Sequence, residues 1–440
     1  MFRILSFCFL MVSSLISFSQ SYWKIENEHH DEILLTVDLN RAKGTFEAFT
    51  RKDALKDIAG TFTYTLAKAA GKLKYPEIVF IEGKTHNSKD SLLLTGTFYY
   101  FDKQYPFSAS ITGNRFAGKY MDTKNKPHPL TGIKLPDNRP LKDYPSIINS
   151  AFLTTEKYLL KASWLKSGEW LSFREKMNEL KPKISDDYEL AASFFWLGKK
   201  LPFSPYEISK SDLSDDSPVR KNQVSIRELK PSAALLEANM LPVTRHQVDS
   251  IASIIDQKGF TRLIIDLRGN FRQNPFAANE LVSYISSKAI DAGVYLTRKW
   301  FETNRILPAS GVCETLPKGF PDGNYANGDL CKIAGSCLRI VPRSKTFRGK
   351  VYVLTDSKTS KVFEALIRAL KNDKIATIVG QKTAGFSMLA EKIKVNKEYE
   401  LVLPVADFYT CDGKNLEQTG VDPDIAVSGE DAMKYILKSL

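Results

Sequence analysis

The stretch that most constrains this chain is 350–385, KVYVLTDSKTSKVFEALIRALKNDKIATIVGQKTAG. A β-branched run from Val351 to Thr355 meets a polar turn at Asp356, Ser357 and Lys358. Beyond the turn, Phe363, Leu366, Ile367 and Leu370 recur at i, i+3, i+4 and i+7, the spacing of one helix face. A second apolar run, Ile375 to Val379, closes in Gly380. The pattern predicts a strand–turn–helix–strand unit whose two strands are parallel neighbours. In such sheets unpaired backbone N–H groups point outward where a strand's carboxyl end becomes a helix N-terminus. The residues of that turn therefore set the chemistry that is available.

The alternation extends upstream. Residues 224–229 and 233–238 predict strands and 245–258 a helix, with His246 on its exposed surface. A buried strand over 263–267 closes in Arg268-Gly269-Asn270, and 274–286 predicts the next helix. Such alternation implies an α/β core with a mixed, mostly parallel sheet and flanking helices, spanning 223–440. A Gly- and Pro-rich segment over 301–347 interrupts it. Short strands at 393–395, 401–405 and 425–427 and a terminal helix from 431 to 440 follow.

With 440 residues the chain is long enough for two or three domains. Residues 21–135 read as an all-β accessory domain, a sandwich or small barrel, with strands at 32–39, 77–81, 91–100 and 107–111 between polar turns. The phrases at 95–99 and 116–120 resemble one another, as successive strands of an antiparallel meander would. His29-His30 reads as an incidental pair at a frayed terminus, and no metal site is expected. Pro136 to Pro140 form a linker. A helical lead-in occupies 141–222, where Phe152, Tyr158, Trp164, Trp170, Phe173, Tyr188, Phe194, Phe195 and Trp196 form an aromatic stripe assigned to packing. Its end, Ser209 to Lys221, reads as an exposed loop.

Residues 1–20 read as a signal peptide: Arg3, an apolar run from Ile4 to Ile16, and the small-x-small site Ser17-Phe18-Ser19. The run is shorter than the roughly 20 residues of a membrane span, so no transmembrane segment is expected. The expected location is periplasmic or extracellular. Removal of Arg3 would lower the net charge from +12 to +11. Apart from a basic patch at 343–350 the excess is spread along the chain, which fits a solvated surface and no nucleic-acid partner. Beyond residue 20 lie Cys313, Cys331, Cys337 and Cys411. Export favours disulfides with three possible pairings, three of the four stapling one loop, and without any C-x-x-C a zinc site is not expected.

Taken together, LIIDLRGN (263–270), GKVYVLTDSKTSKVFEAL (349–366), ATIVGQKTAG (376–385) and DGKNLEQTGVDPDI (412–425) resemble the tail-specific, or C-terminal processing, serine peptidases, including tricorn-core-like members. LPFSPY (201–206) is a weaker echo of the segment that brings the family's histidine. The family's PDZ module has no room here.

The resemblance implies a serine peptidase fold, no cofactor, and a nucleophile at the third place of a Thr/Ser, small, Ser, small, small, Glu turn. That place is Lys361, flanked by Ser360 and ending in Glu364. A shift of one residue turns a helical side chain by about 100°, so the expected role of Ser360 is a helix N-cap. The family's lysine base corresponds to Phe386, and its histidine to Pro205 beside Ser204. Glu417 and Ser204 match two supporting positions. After the Asp-Leu-Arg strand end the family has a glycine pair, whereas this chain reads Asn270-Phe271-Arg272. The catalytic set is thus degenerate. The expected function is a peptide- or protein-binding module that holds an extended chain or a C-terminus near Gly269, Asn270, Arg272 and Lys361, with a cation meeting the terminal carboxylate. The alternatives are an active serine endopeptidase using Ser360 and a binding protein whose function lies in the N-terminal β domain.

Overall fold

The computed structural model describes residues 18–211, 226–237, 245–269, 275–304, 307–319, 330–359, 363–385, 388–415 and 419–439. Eight antiparallel strands form its first part. These are β1 (Phe18–Asn27), β2 (Glu32–Asn40), β3 (Thr45–Phe49), β4 (Val79–Ser88), β5 (Ser91–Tyr100), β6 (Lys103–Thr112), β7 (Arg115–Met121) and β8 (Pro127–Leu135). They pair in chain order, and β8 returns to β1 to close a barrel. Closure removes the open edges that an isolated sheet would present. Alternate side chains fill the interior: Trp23 and Ile25, Ile33, Leu35 and Val37, Phe46, Ile81, Leu94, Phe98, Phe107, Phe116 and Leu130. Gly83 and Gly96 face each other across β4 and β5, where a Cβ on either would come within 2.1 Å of a backbone oxygen. The similar phrases at 95–99 and 116–120 belong to β5 and β7, and β6 lies between them.

The domain is not all-β. Helices α1 (Ala54–Ala59) and α2 (Thr61–Ala69) connect β3 to β4, and Ala54, Leu55, Ile58 and Tyr64 join the barrel core. The Thr-, Phe- and Tyr-rich start of α2 has weak helix propensity, so tertiary packing decides its conformation. Nor is His29-His30 at a frayed end. It sits in the β1–β2 turn, where Asn27 Oδ1 accepts the N–H groups of His29 at 2.8 Å and Asp31 at 2.9 Å.

Helices α3 (Tyr144–Tyr158), α4 (Gly168–Leu180) and α5 (Asp187–Gly198) follow, then strand β9 (Glu207–Lys210), which takes in part of the stretch read as a loop. By contacts the chain forms two compact units. The first comprises Met1–Ser150, Gly168–Leu201 and Glu207–Lys210, so α4 and α5 group with the barrel and not with a separate lead-in. The reason is apolar: Leu180 and Ala192 enter the barrel core, and Tyr188, Trp196 and Leu197 pack against it. A polar reason adds to it. β3 pairs with β2 only over Thr36 to Asn40, and the N–H groups of Glu32 and Leu34 instead donate to Asp187 Oδ2 (2.8 Å) and Asp186 Oδ2 (3.1 Å) at the start of α5.

The second unit comprises Ala151–Ser167, Pro202–Tyr206 and Ser211–Leu440. It contains β10 (Ile226–Lys230), β11 (Ala233–Glu237), α6 (Arg245–Lys258), β12 (Arg262–Asp266), α7 (Pro275–Ile285), β13 (Ile290–Thr297), α8 (Arg298–Thr303), α9 (Val312–Thr315) and β14 (Gly335–Ile340). After these come β15 (Lys350–Thr355), α10 (Glu364–Asn372), β16 (Ala376–Gly380), β17 (Leu389–Lys394), β18 (Tyr399–Tyr409), β19 (Ile425–Ala426) and α11 (Asp431–Ser439). One sheet has the order β10-β11-β12-β15-β16-β19, with β10 antiparallel and the rest parallel. Its central strands β11, β12, β15 and β16 carry apolar runs because both faces are covered. Ala432 and Ile436 of α11 pack with Leu235, Ile264, Leu354 and Val379. On the other side Ile265 and Val353 border α7 and α10, where Phe363, Leu366, Ile367 and Leu370 are all buried.

β14, inside the 301–347 interruption, and strands on either side of it form a second, antiparallel sheet in the order β14-β13-β18-β17. The cysteines do not staple one loop twice. A single bridge joins Cys313 in α9 to Cys411 just after β18, and Cys331 and Cys337 are free thiols. Burial pushes both thiols up to about 12. The basic patch at 343–350 is partly neutralised, since Arg343 pairs with Asp249 (2.7 Å) and Glu280 (3.2 Å), and Lys345 with Asp256. Among the described residues no helix is long and apolar enough to cross a membrane.

Candidate functional site

The parallel strands β12, β15 and β16 end side by side, pairing from Leu263↔Val351 to Asp266↔Leu354 and from Val351↔Ala376 to Thr355↔Gly380. Their carboxyl ends carry three segments: Asp266-Leu267-Arg268-Gly269, Thr355 to Thr359, and Gly380 to Gly385. Chemistry in an open parallel sheet is placed at this edge.

Asp356 organises the turn after β15. Its Oδ1 accepts the N–H of Lys358 at 2.9 Å, and its own N–H donates to Thr359 Oγ1 at 2.9 Å. Thr359 is buried, and its hydroxyl lies 3.3 Å from Asp356 Oδ1. This is the local side-chain-to-backbone bonding that Asp and Thr favour in turns. The same carboxylate reaches across to β12: the Gly269 N–H lies 3.2 Å from Oδ1 and 3.1 Å from Oδ2. Gly269 has a φ of 64°, a conformation that glycine adopts without steric cost.

Neighbouring groups lock this edge. Arg268 forks onto Asp266 at 2.8 and 2.6 Å and also donates to the Gly429 carbonyl. The paired Asp266 carboxylate raises the Arg268 guanidinium above its ordinary value. Thr355 and Gln381 exchange two bonds, from the Thr355 hydroxyl to the Gln381 carbonyl (2.8 Å) and from the Gln381 N–H to the Thr355 carbonyl (2.9 Å). At the start of α10, Glu364 is buried and its Oε1 accepts the Gly385 N–H at 2.8 Å. Gly420 fits against the same segment: a Cβ there would lie 2.2 Å from the Thr383 carbonyl oxygen, and φ is 59°. Asp424 accepts the Ile378 N–H at 2.9 Å and Lys371 donates to the Asp422 carbonyl at 2.6 Å, so the Val-Asp-Pro-Asp phrase fastens β19 beside β16. Lys382 is exposed and pairs with Asp422 at 3.3 Å.

Of the sequence-predicted site residues, Ser360, Lys361, Phe386, Glu417, Asn270 and Arg272 lie outside the described residues. Gly269 stands just beyond the carboxyl end of β12. Ser204 is exposed and joined to Pro205 by a cis peptide bond. Around that segment Phe203 stacks on Trp164 at 5.4 Å, and Tyr206 and Thr155 share a hydrogen bond of 2.8 Å between their hydroxyls. Sequence reading missed two participants, Asp356 as the acceptor for Gly269 and Glu364 as the acceptor for Gly385. The Asp-x-x-Thr spacing of 356–359 signals the first within its own turn. Nothing local signals either long-range partner.

The parallel sheet with helices on both sides, and a polar turn at the carboxyl ends of its central strands, define an open α/β domain. Residues 234–427 match the profile of peptidase family S41, the tail-specific peptidases. Solved structures similar to this one include a lipoprotein from Streptococcus agalactiae (16% identity, 68% of this chain and 97% of that one, TM-score 0.44). A putative peptidase from Parabacteroides merdae matches at 14% identity over 67% and 93% of the two chains, TM-score 0.42. The photosystem II D1 C-terminal processing protease matches at 12% identity over 68% and 97%, TM-score 0.42. The likeness to these structures is loose, with TM-scores of 0.42 to 0.44.

Proposed function

We propose that this chain is a catalytically degenerate member of the S41 family that binds an extended peptide or a protein C-terminus. The observation that carries the reading is the Asp356 carboxylate on the Gly269 N–H, at 3.1 and 3.2 Å. Acyl transfer needs donors aimed at a developing negative charge. Here a donor at the strand edge is already paired with an anion of the protein itself. The sequence supports the same conclusion, with Lys361 at the place of the nucleophile, Phe386 at that of the lysine base and Pro205 at that of the histidine. The N-terminal segment and the Cys313–Cys411 bridge support an exported, periplasmic or extracellular protein, since disulfides persist in oxidising compartments.

Two measurements on the full chain test this reading. A fluorophosphonate probe is expected to leave the protein unlabelled, and labelling that disappears in Ser360→Ala would establish an active serine peptidase instead. Pentapeptides with apolar C-terminal residues are expected to bind with a free terminus and not as amides. Equal binding of both forms removes the C-terminal specificity.

A further inference from the structure

The first unit holds a cavity of about 600 Å³, within the range of small-molecule sites. Its walls come from α2, the β5–β6 turn, α5 and β9. Leu73 and Ile208 are buried in its lining, and Tyr100, Phe101, Phe195 and Trp196 supply aromatic surface. The aromatic stripe read from the sequence as packing therefore divides. Trp170, Phe173 and Phe194 are buried, whereas Phe195 keeps 47% exposure beside the cavity.

Two features are not explained by packing. The turn between Tyr100 and Lys103 has two residues, Phe101 and Asp102, and Phe101 takes a φ of 54°. A bulky residue rarely adopts that conformation, which in hairpin turns is left to Gly or Asn. It places the ring of Phe101 4.6 Å from that of Tyr100 and 6.2 Å from that of Trp196. The lining also carries Lys72, Lys103, Asp102 and Glu207, which form no ion pairs among the described residues. Lys199 adds a third ammonium at the aromatic wall, 4.1 Å from the Phe195 ring centroid and 4.4 Å from that of Trp196.

We propose that this cavity binds an amphipathic anion, with an apolar or aromatic body against Tyr100, Phe101 and Trp196 and one anionic head group met by Lys199. An apolar floor excludes a charge from the interior, since desolvation there is costly. A cationic ligand would need the faces of Phe195 and Trp196, which Lys199 already covers. Three ammonium groups against two carboxylates leave the surroundings net positive. The head group identifies two sources, a free long-chain or aromatic acid and the C-terminal residue of a peptide.

The probe is 1-anilinonaphthalene-8-sulfonate, added to the full chain. One saturable site per chain is expected. Ala191→Trp, which fills the cavity from an exposed lining position, should weaken binding at least tenfold, and Lys199→Glu at least fivefold, with melting temperatures unchanged. N-phenyl-1-naphthylamine, which has the same body without the sulfonate, should bind at least fivefold more weakly and be insensitive to Lys199→Glu. Displacement by decanoate assigns the site to a free acid, and displacement by N-acetylphenylalanine assigns it to a peptide terminus. Displacement by neither, unchanged affinity in Ala191→Trp, or unchanged affinity in Lys199→Glu overturns the proposal.

Discussion

The Gly269 N–H and the Asp356 carboxylate, 87 residues apart in sequence, meet at 3.1 and 3.2 Å and join the carboxyl ends of two adjacent parallel strands. Oδ1 of the same carboxylate also accepts the Lys358 N–H. Hydrogen bonds to a charged group contribute about 1.5–3 kcal/mol each when buried, and less where water reaches them. Gly269 is exposed, so Asp356→Ala should cost roughly 1–2 kcal/mol in denaturant unfolding, and Asp356→Asn less than half of that. A loss below the error of the midpoint would mean that the contact contributes nothing to stability. Neither variant should gain reactivity toward a fluorophosphonate, because freeing an N–H does not supply a nucleophile or a base.

Glu364 acts in the interior as Asp356 does at the rim. It is 1% exposed, and its Oε1 holds the Gly385 N–H at 2.8 Å. Glu364→Ala would leave a buried donor unpaired, at a cost of about 1–3 kcal/mol. Amide exchange at Gly385 should accelerate in that variant while exchange within β15 and β16 stays slow. Uniform acceleration over all three segments would show that Glu364 supports the sheet as a whole and not the loop that ends at Gly385.

The strand–turn–helix–strand unit was legible because each of its elements is buried on a periodic face: Val351, Val353 and Leu354 in β15, then Leu366, Ile367 and Leu370 in α10. The barrel was legible as strands but not as a closed figure, since only the return pairing of Tyr22 with Leu135 and its neighbours distinguishes a barrel from an open meander. Helices α1 and α2 were hidden because both are short and the Thr-Phe-Thr-Tyr-Thr start of α2 fits a strand as well as a helix. The second sheet was hidden for a different reason. β13 pairs with β14 and with β18, bringing Val294 beside Cys337 and Tyr409, and no local pattern encodes partners so distant in sequence. The chemistry at the site follows the same rule. The identity of Lys361 could be read directly, whereas the partners of Gly269 and Gly385 follow from the fold alone.

The Cys313–Cys411 bridge spans 98 residues and sits in a cluster with Val294, Leu296, Val312 and Tyr409. Replacing both cysteines by serine removes the constraint on the unfolded chain, and the expected loss is about 2–5 kcal/mol. Cys331 and Cys337 should behave oppositely. Burial raises both thiols to about 12, so little thiolate exists at neutral pH. In the native protein the buried Cys337 should react with a thiol reagent only at the rate of unfolding, and the half-buried Cys331 slowly. Rapid reaction of either one without denaturant would contradict this.

Asp186 contributes to the pH dependence of the first unit. It is fully buried at the start of α5, where Oδ1 accepts the Glu189 N–H (2.8 Å) and Oδ2 the Leu34 N–H (3.1 Å). Burial, with the Glu189 carboxylate nearby, raises it from an ordinary 3.8 to about 8. A carboxyl raised on folding binds its proton more tightly in the native state than in the unfolded chain. Its stabilising contribution is therefore fully present below about pH 4 and is lost as the pH rises toward about 8. Other groups titrate over the same range, so the measurement is the difference between wild type and Asp186→Asn, whose side chain remains neutral throughout. In urea unfolding the wild type should lose stability relative to the variant between pH 4.5 and 8. The change should level off above that range, where Asp186 is ionised in both states. A difference that stays constant from pH 4.5 to 8 would place the titration of Asp186 at its ordinary value. The two backbone N–H groups that it accepts would then outweigh the cost of burying its charge.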